Sequence, residues 1–186
     1  MDKKSLRKWM GEELQGINRL HYEQMSYVIG KSLAQTEEWE EAKTVALTVS
    51  RFPEVDTWQL IRKGWEQSKK MAVPKCHPTT KQMTFRQIRS FTDLEHSFFG
   101  LFEPKEHETE MVPKEKIDLV IVPGLLYNRY GFRIGFGGGY YDRFLQDYRG
   151  QTISLAFSRQ LIEYLPHEEH DMPVGKIVTE KEIIRT

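Results

Sequence analysis

Three features that would assign the protein to particular classes are missing from the sequence. It has one cysteine in 186 residues, Cys76, so no disulfide can form within the chain. Its 27 Lys and Arg residues balance its 27 Asp and Glu residues, which leaves no basic field to attract nucleic acid or an anionic membrane. No apolar run is long enough for a membrane span, and the N-terminus is charged. We therefore expect a cytoplasmic protein with small-molecule partners, no nucleic acid and no membrane.

The length and composition predict one domain. A hydrophobic content of 39% is close to the globular average, and no linker or internal repeat divides the chain. Residues 1–186 are therefore expected to fold around one core, and we expect a monomer.

The spacing of apolar residues predicts alternating helices and strands. Helices are predicted at about 6–17 and 19–35, and a third is predicted to begin after a cap at Asp56 and to end near Lys69. The predicted strands are 44–50, 71–73, 85–88, 119–122, 152–157 and 177–179. The charged segment 103–116 is predicted to be an exposed connection. This alternation predicts an α/β three-layer sandwich with a largely parallel central sheet.

The most distinctive motif is Gly135-Phe136-Gly137-Gly138-Gly139, in which four of the five residues are glycine. A glycine-dense turn lets backbone N–H groups approach a polyanion without interference from Cβ atoms. A helix is predicted to follow, with Asp142 in its first turn. Tyr141, Phe144, Leu145 and Tyr148 have the spacing that places them on one face of a helix. The motif is neither a P-loop nor a dinucleotide-binding fingerprint. Glycine content alone leaves a phosphate-binding loop and a tight strand-to-helix turn both open.

The segment before this motif favours the phosphate-binding alternative. The apolar run 119–122 is closed by Pro123-Gly124 and is typical of a strand buried on both faces of a parallel sheet. In open α/β sheets, ligands bind in the crevice outside the carboxyl ends of such strands. The glycine motif is therefore predicted to lie at a ligand-binding edge.

Two segments resemble the signature of the 5-formyltetrahydrofolate cyclo-ligase family: Val122-Pro123-Gly124-Leu125, and Arg133 with the residues from Gly135 to Leu145. The resemblance extends over nearly the whole chain and keeps the family's order. The other matching segments are the basic N-terminal residues 3–7, the strand-to-helix segment 50–57, Glu103-Pro104, Leu155-Ala156-Phe157 and His170-Asp171-Met172-Pro173.

The resemblance implies an enzyme that uses ATP to convert 5-formyltetrahydrofolate into 5,10-methenyltetrahydrofolate, with release of ADP and phosphate. ATP would phosphorylate the formyl oxygen, and N10 of the same molecule would then attack the activated carbon and expel phosphate. Phosphoryl transfer requires alignment and charge neutralisation, with Mg²⁺ bridging phosphate oxygens. The implied substrates are therefore ATP and 5-formyltetrahydrofolate, and the implied cofactor is Mg²⁺.

The resemblance also implies an ATP site built from the N-terminus and the glycine motif. Its residues would be Lys3, Lys4, Ser5, Leu6, Arg7, Arg133, Ile134, Gly135, Phe136, Gly137, Gly138, Gly139, Tyr140 and Tyr141. Arg133 is the expected charge clamp and, with Asp142, the expected catalytic residue. Without the resemblance, the N-terminal basic residues would be interpreted as a solvated helix end.

Asp142 and Asp171 match the family positions linked to Mg²⁺, a hard cation that takes a few carboxylate oxygens and retains water and phosphate ligands. Without a metal, Asp142 would be explained by favourable charge at a helix N-terminus, and Asp171 would be a solvated loop carboxylate. His167 and His170 do not predict zinc, because they are three residues apart whereas the zincin pattern separates its histidines by four.

The implied folate site contains Val49 and Glu54 after the first strand, and it shares Phe136, Gly137, Gly138, Gly139 and Tyr140 with the phosphate loop. A carboxylate can accept hydrogen bonds from the amino and ring N–H groups of a pterin, and an aromatic ring can stack on its face. Phe102, Glu103 and Pro104 are weaker candidates for the same pocket. Cys76 and His77 lack a third partner for a nucleophilic site and are left unassigned.

Two other functions are considered beside the cyclo-ligase. One is a sugar-phosphate-handling enzyme, such as an isomerase, whose glycine loop would hold a sugar phosphate without ATP. The other is a non-catalytic folate-binding protein, which would bind folate without consuming ATP.

Overall fold

The computed structural model describes all residues 1–186 and is organised around one large sheet. The strands in chain order are β1 (Thr44–Ala46), β2 (Lys70–His77), β3 (Gln82–Ile88), β4 (Leu94–His96), β5 (Phe102–Pro104), β6 (Glu110–Val112), β7 (Leu119–Ile121), β8 (Leu126–Tyr127), β9 (Arg133–Ile134), β10 (Gln151–Leu155), β11 (Lys176–Val178) and β12 (Ile183–Arg185). Eight of them form the sheet, in the order β12-β11-β10-β7-β1-β2-β3-β6. The five strands from β11 to β2 are parallel, and the outer strands are antiparallel. The predicted α/β class with a largely parallel sheet is confirmed.

Five α-helices cover the sheet: α1 (Lys3–Gln15), α2 (Arg19–Ala34), α3 (Glu37–Glu41), α4 (Trp58–Glu66) and α5 (Tyr140–Leu145). The first two have side-chain caps that satisfy otherwise unpaired N–H groups: Asp2 accepts from Ser5 N at 2.7 Å, and Asn18 accepts from Leu20 N at 2.9 Å. The predicted cap Asp56 lies one residue before the actual cap, Thr57, but its side chain still accepts from Trp58 N at 2.9 Å, at the first residue of α4. None of the helices combines the length and apolarity that crossing a membrane requires.

The apolar side chains form one core on each face of the sheet. A cluster of 28 buried residues joins one face to α1, α2, α3 and α4. A cluster of 14 buried residues joins the other face to α5 through Phe144 and Leu145. Each fully buried Leu or Phe side chain contributes about 2 kcal/mol of hydrophobic stabilisation. The helices, sheet and opposite helix are the three predicted layers.

Two sequence-based expectations differ from the structure. The predicted strand 44–50 ends at Ala46, because the chain then turns into a loop in which Thr57 Oγ1 donates to Thr48 O at 2.6 Å. The segment 103–116 is largely exposed as predicted, but it is not a plain connection, since it contains most of β5 and all of β6 and buries Glu103. Burial is tolerated there because the Glu103 carboxylate accepts hydrogen bonds from Cys76 N and Ser97 Oγ.

Candidate functional site

A cavity of about 520 Å³ lies at the carboxyl ends of β1, β7 and β10, which run parallel and adjacent in the sheet. This is the edge at which open α/β sheets bind ligands, and the volume is that of a small-molecule site. Its lining combines the β1 loop with the ends of β7 and β10, one side of α1, and Phe136. The lining residues are Gly11, Leu14, Gln15, Thr48, Arg51, Phe52, Pro53, Glu54, Val55, Thr57, Ile121, Val122, Pro123, Gly124, Leu125, Phe136, Leu155 and Gln160.

The loop after β1 is braced by two reciprocal hydrogen bonds. Ser50 N donates to Thr57 Oγ1 at 2.9 Å, and Thr57 N donates to Ser50 Oγ at 2.8 Å. Glu54 lines the cavity within this loop, and its Oε1 accepts from Arg51 N at 3.3 Å. Burial raises the pKa of Glu54 above its ordinary value. Val49 is only 5% exposed and packs in the core, so its side chain supports the loop and does not line the cavity.

The glycine loop runs from β9 to α5 and borders both the cavity and α1. Gly137 and Gly139 have φ values of 106° and 70°, which L residues with side chains rarely adopt. Arg7 Nε donates to Gly135 O at 2.8 Å, and the guanidinium of Arg7 lies within 4 Å of the position that a Cβ atom on Gly137 would take. Phe136 is 57% exposed and contributes to the cavity wall. The loop therefore contacts the cationic side chain of Arg7 and also contributes Phe136 to the cavity wall.

Arg133 connects the helix after the glycine loop to the C-terminal segment. Its Nη1 donates to Met172 O at 2.7 Å, and its Nη2 lies 3.2 Å from Asp142 Oδ1. Met172 N also donates to Asp142 Oδ1, at 3.1 Å. The Arg133 side chain is 4% exposed, and its Nε has no hydrogen-bond partner. Arg133 is therefore buried and holds the Asp142 carboxylate next to the backbone of Met172.

Lys3 and Asp171 form a long-range ion pair, with 2.9 Å between Nζ and Oδ2. Asp171 Oδ2 also accepts from Glu168 N at 2.8 Å. Burial of Asp171 opposes its ionisation, but the hydrogen bonds from Lys3 and Glu168 N outweigh this effect and lower the pKa of Asp171. The N-terminal helix and the Asp171 loop thus share one charged site.

The remaining predicted ATP-site residues lie in different environments. Lys4 and Ser5 are exposed on α1, whereas Leu6 and Ile134 are 5% and 1% exposed and pack in the core. Any contact that Leu6 or Ile134 makes with a ligand therefore has to use backbone atoms. Tyr140 and Tyr141 pack against the α5-side core, and the hydroxyl of Tyr141 is buried without a partner.

No group of three His, Cys, Asp or Glu side chains is arranged to hold a metal ion. Met172, the residue after Asp171, donates its N–H to Asp142 Oδ1 at 3.1 Å, so the segment that carries Asp171 contacts Asp142. The ring of His167 stacks on Phe132 with 4.0 Å between centroids, and His170 lies 3.4 Å from Glu168. Each of the two carboxylates is paired with a cationic side chain, Asp142 with Arg133 and Asp171 with Lys3.

Several residues at this edge were not singled out from the sequence. Gln160 spans two strand ends, since its Oε1 accepts from Phe157 N at 2.8 Å and its Nε2 donates to Leu125 O at 3.0 Å. The sequence feature that could have identified Gln160 is its position three residues after Phe157, which ends a predicted strand. Glu103 does not line the cavity. Cys76 N donates to Glu103, and burial raises the pKa of the Cys76 thiol to about 11, which argues against a nucleophilic role.

Comparison with known proteins gives a consistent result over most of the chain. Residues 1–180 match the model of the 5-formyltetrahydrofolate cyclo-ligase family. The chain is 34% identical over 145 residues to 5-formyltetrahydrofolate cyclo-ligase from Haemophilus influenzae, which covers 76% of this chain and 78% of that protein. It is also 34% identical over 146 residues to the protein of the same name from Escherichia coli K12, covering 76% of this chain and 80% of that protein.

The fold is similar to that of a solved structure. An NMR structure of 5,10-methenyltetrahydrofolate synthetase from Aquifex aeolicus superposes with a TM-score of 0.88 and 32% sequence identity. The similarity covers 100% of this chain and 93% of that one, so it includes every element that borders the cavity.

Proposed function

Because the chain belongs to the 5-formyltetrahydrofolate cyclo-ligase family, we propose that it catalyses the ATP-dependent cyclisation of 5-formyltetrahydrofolate to 5,10-methenyltetrahydrofolate, with release of ADP and phosphate. One observation carries the proposal: a cavity of about 520 Å³ adjoins a glycine loop that is flanked by cationic side chains, and Phe136 belongs to both. A reaction between a folate and a nucleotide requires two such adjoining sites.

In this proposal the phosphates of ATP lie against the glycine loop. The exposed backbone of Gly137 and Gly138 offers N–H groups, and Arg7 and Lys3 supply positive charge from the same face of α1. Arg133 acts by holding the Asp142 carboxylate and the 171–172 segment in position, since both of its terminal nitrogens are engaged there. Alignment and charge neutralisation are the main requirements of phosphoryl transfer.

The folate occupies the cavity, with its pterin near Glu54. The raised pKa of Glu54 keeps this carboxyl protonated to a higher pH than an exposed glutamate, and the ionised form is the better acceptor for the amide and amino N–H groups of a pterin. The formyl oxygen attacks the γ-phosphorus of ATP, and the bond from that phosphorus to ADP breaks. N10 then attacks the activated carbon, loses its proton and displaces phosphate, which carries away the formyl oxygen.

Asp142 and Asp171 are the proposed carboxylate ligands of Mg²⁺. When bound, Mg²⁺ neutralises phosphate charge and favours phosphoryl transfer. Asp171 is paired with Lys3 in this structure, so we propose that Lys3 turns toward a phosphate when Asp171 takes part in the metal site. The change would replace one ion pair by two charge-assisted contacts.

We also propose that the protein is a monomer and that it works in a reducing compartment such as the cytoplasm. The single cysteine supports the compartment, since Cys76 has no second cysteine to pair with. Light scattering coupled to size-exclusion chromatography tests the monomer, which should elute with the mass of one 22.0 kDa chain.

An isotope experiment tests the proposed sequence of steps. 5-Formyltetrahydrofolate labelled with ¹⁸O in the formyl group is converted in the presence of MgATP, and the released phosphate is analysed by mass spectrometry. One ¹⁸O atom per phosphate and one ADP per methenyl product are expected. Unlabelled phosphate would contradict phosphorylation of the formyl oxygen.

A further inference from the structure

An arginine lies at the mouth of the cavity with no acidic side chain within salt-bridge distance of its guanidinium. Arg51 is exposed, lines the cavity beside Phe52 and Glu54, and forms no ion pair in the structure. Its guanidinium Nη1 donates to the carbonyl oxygen of Phe99, while its other N–H groups have no hydrogen-bond acceptor within the protein. The side chain therefore bridges the loop after β1 and a second segment of the chain.

That second segment is the tip of the β4–β5 hairpin, in which Leu94 pairs with Pro104 and His96 pairs with Phe102. Its base is well anchored. The buried Glu103 accepts from Cys76 N at 2.8 Å and from Ser97 Oγ, and the ring of Phe102 packs edge-on against Trp58 with 5.7 Å between centroids. Trp58 Nε1 in turn donates to Ser50 O at 2.8 Å, next to Arg51. The hairpin is thus fixed relative to the cavity mouth.

The tip of this hairpin presents apolar side chains to solvent. Phe98 and Phe99 are 64% and 86% exposed, and Phe52 on the cavity side is 37% exposed. Phe99 also has a left-handed backbone, with φ of 56°, which is unusual for a residue with a side chain. The tip does not line the cavity itself but adjoins its mouth through Arg51, and clustered exposed apolar surface beside a cavity is typical of a ligand-binding site.

We propose that Arg51 and the hairpin tip Phe98–Gly100 form a subsite for the aminobenzoylglutamate part of the folate, in which Arg51 binds a glutamate carboxylate. This inference rests on the proposed function. The tail of the substrate has an aromatic ring followed by a glutamate with carboxylates. The cavity mouth has the matching groups, which are exposed phenylalanine side chains and the Arg51 guanidinium. An aromatic ring packs on phenylalanine side chains, and a guanidinium binds a carboxylate through two parallel hydrogen bonds.

Occupation of the subsite replaces one contact. The Arg51 guanidinium exchanges its bond to the neutral carbonyl of Phe99 for a carboxylate, which is the stronger acceptor. In this scheme the Arg51 guanidinium points to the hairpin tip and binds the tail, so it determines which folate binds and has no part in the chemical step. Its removal should therefore raise KM and leave kcat nearly unchanged.

The test compares Arg51→Gln with wild-type enzyme on two substrates that both retain N10. One is 5-formyltetrahydrofolate, and the other is its glutamate diamide, which has a similar shape but no tail carboxylate. Arg51→Gln should raise KM for the diacid by about tenfold and change KM for the diamide by less than about twofold. Arg51→Lys should lie between the two enzymes, because lysine keeps the charge and loses the planar fork.

The matched control is Arg149→Gln, which should leave both KM values unchanged. Arg149 is exposed and lies just before β10, at the end of this strand that is opposite to the cavity. A second variant, Phe99→Ala, should raise KM for both substrates. An unchanged KM for the diacid in Arg51→Gln, or an equal rise for both substrates, would overturn the subsite. Absence of methenyl product from wild-type enzyme with MgATP would instead contradict the proposed function.

Discussion

Lys3 Nζ lies 2.9 Å from Asp171 Oδ2, which ties the start of the chain to a loop 168 positions later. Four residues further along α1, Arg7 Nε donates to the carbonyl oxygen of Gly135 at 2.8 Å. One helix therefore contacts both the glycine loop and the acidic C-terminal segment. The two contacts bring residues that are far apart in the sequence to the proposed phosphate-binding site.

Lys3→Met should destabilise the unliganded protein by about 1 kcal/mol, the upper end for a partly exposed ion pair. Because the pKa of Asp171 lies below its ordinary 3.8, this contribution is present above pH 3.8 and is lost as the pH falls through the lower native value. Urea unfolding of wild type and variant at decreasing pH measures the difference. Lys8→Met, an exposed change on the same helix, serves as the control. A stability difference that persists when Asp171 is protonated would contradict the ion-pair explanation.

Asp142→Asn should lower kcat by about 100-fold or more while the protein stays folded. Asparagine keeps an oxygen that can accept from Met172 N, but it loses the charge that a metal ligand needs. Steady-state rates at increasing Mg²⁺ concentrations are the measurement. Asp147→Asn, at an acid that is 76% exposed, should retain nearly full activity. An unchanged rate of Asp142→Asn at saturating MgATP would remove Asp142 from the site.

Arg133→Ala should also lower turnover by about 100-fold or more, because Asp142 and the 171–172 segment would lose their shared donor. Circular dichroism and thermal unfolding distinguish this effect from loss of the fold. If a folded Arg133→Ala protein turns over at the wild-type rate, the assigned role of Arg133 is wrong.

Gly138→Val should raise KM for ATP by about tenfold or more and affect KM for the folate less. A Cβ atom at Gly138 would lie 2.7 Å from the Tyr140 ring, so the loop or the ring must move, and the valine methyl groups would enter the space assigned to phosphates. Initial rates at varied ATP measure the effect. Gly16→Ala is a suitable control, because a Cβ atom there meets only ordinary contacts at 3.5 Å and beyond. An unaffected KM for ATP would show that the loop does not hold phosphates.

Glu54 should give the folate KM a pH dependence. Its raised pKa means that the carboxyl loses its proton at a pH above the ordinary 4.5, so the protonated form persists below this higher value and the charged form prevails above it. A titration step in KM above pH 4.5 is expected for wild type and should be absent from Glu54→Gln. Identical pH profiles for the two proteins would exclude Glu54 from the folate site.

Local sequence patterns predicted the helices and the central strands well. The apolar spacing after Gly139 correctly gave a helix with Asp142 in its first turn, and the β-branched run 119–122 gave the central strand β7. These predictions succeeded because periodicity and glycine content act over a few neighbouring residues. The ligand roles assigned by resemblance remain proposals.

Features that depend on distant pairing were missed. The sequence of the segment containing Glu103 is typical of a polar connection, and the carboxylate can be buried because Cys76, Ser97 and Lys75 contact it. The position of Arg51 at the cavity mouth likewise depends on the β4–β5 hairpin, whose register has no strong local signal. Both cases involve a charged residue whose environment is made by another part of the chain.

Formation of the methenyl chromophore from 5-formyltetrahydrofolate tests the proposed reaction most directly. Absorbance is followed in the complete mixture and then with ATP or Mg²⁺ omitted in turn. We expect the chromophore to appear only in the complete mixture, with one ADP formed per product molecule. Folded protein that binds 5-formyltetrahydrofolate but forms no chromophore with MgATP would contradict the proposed reaction.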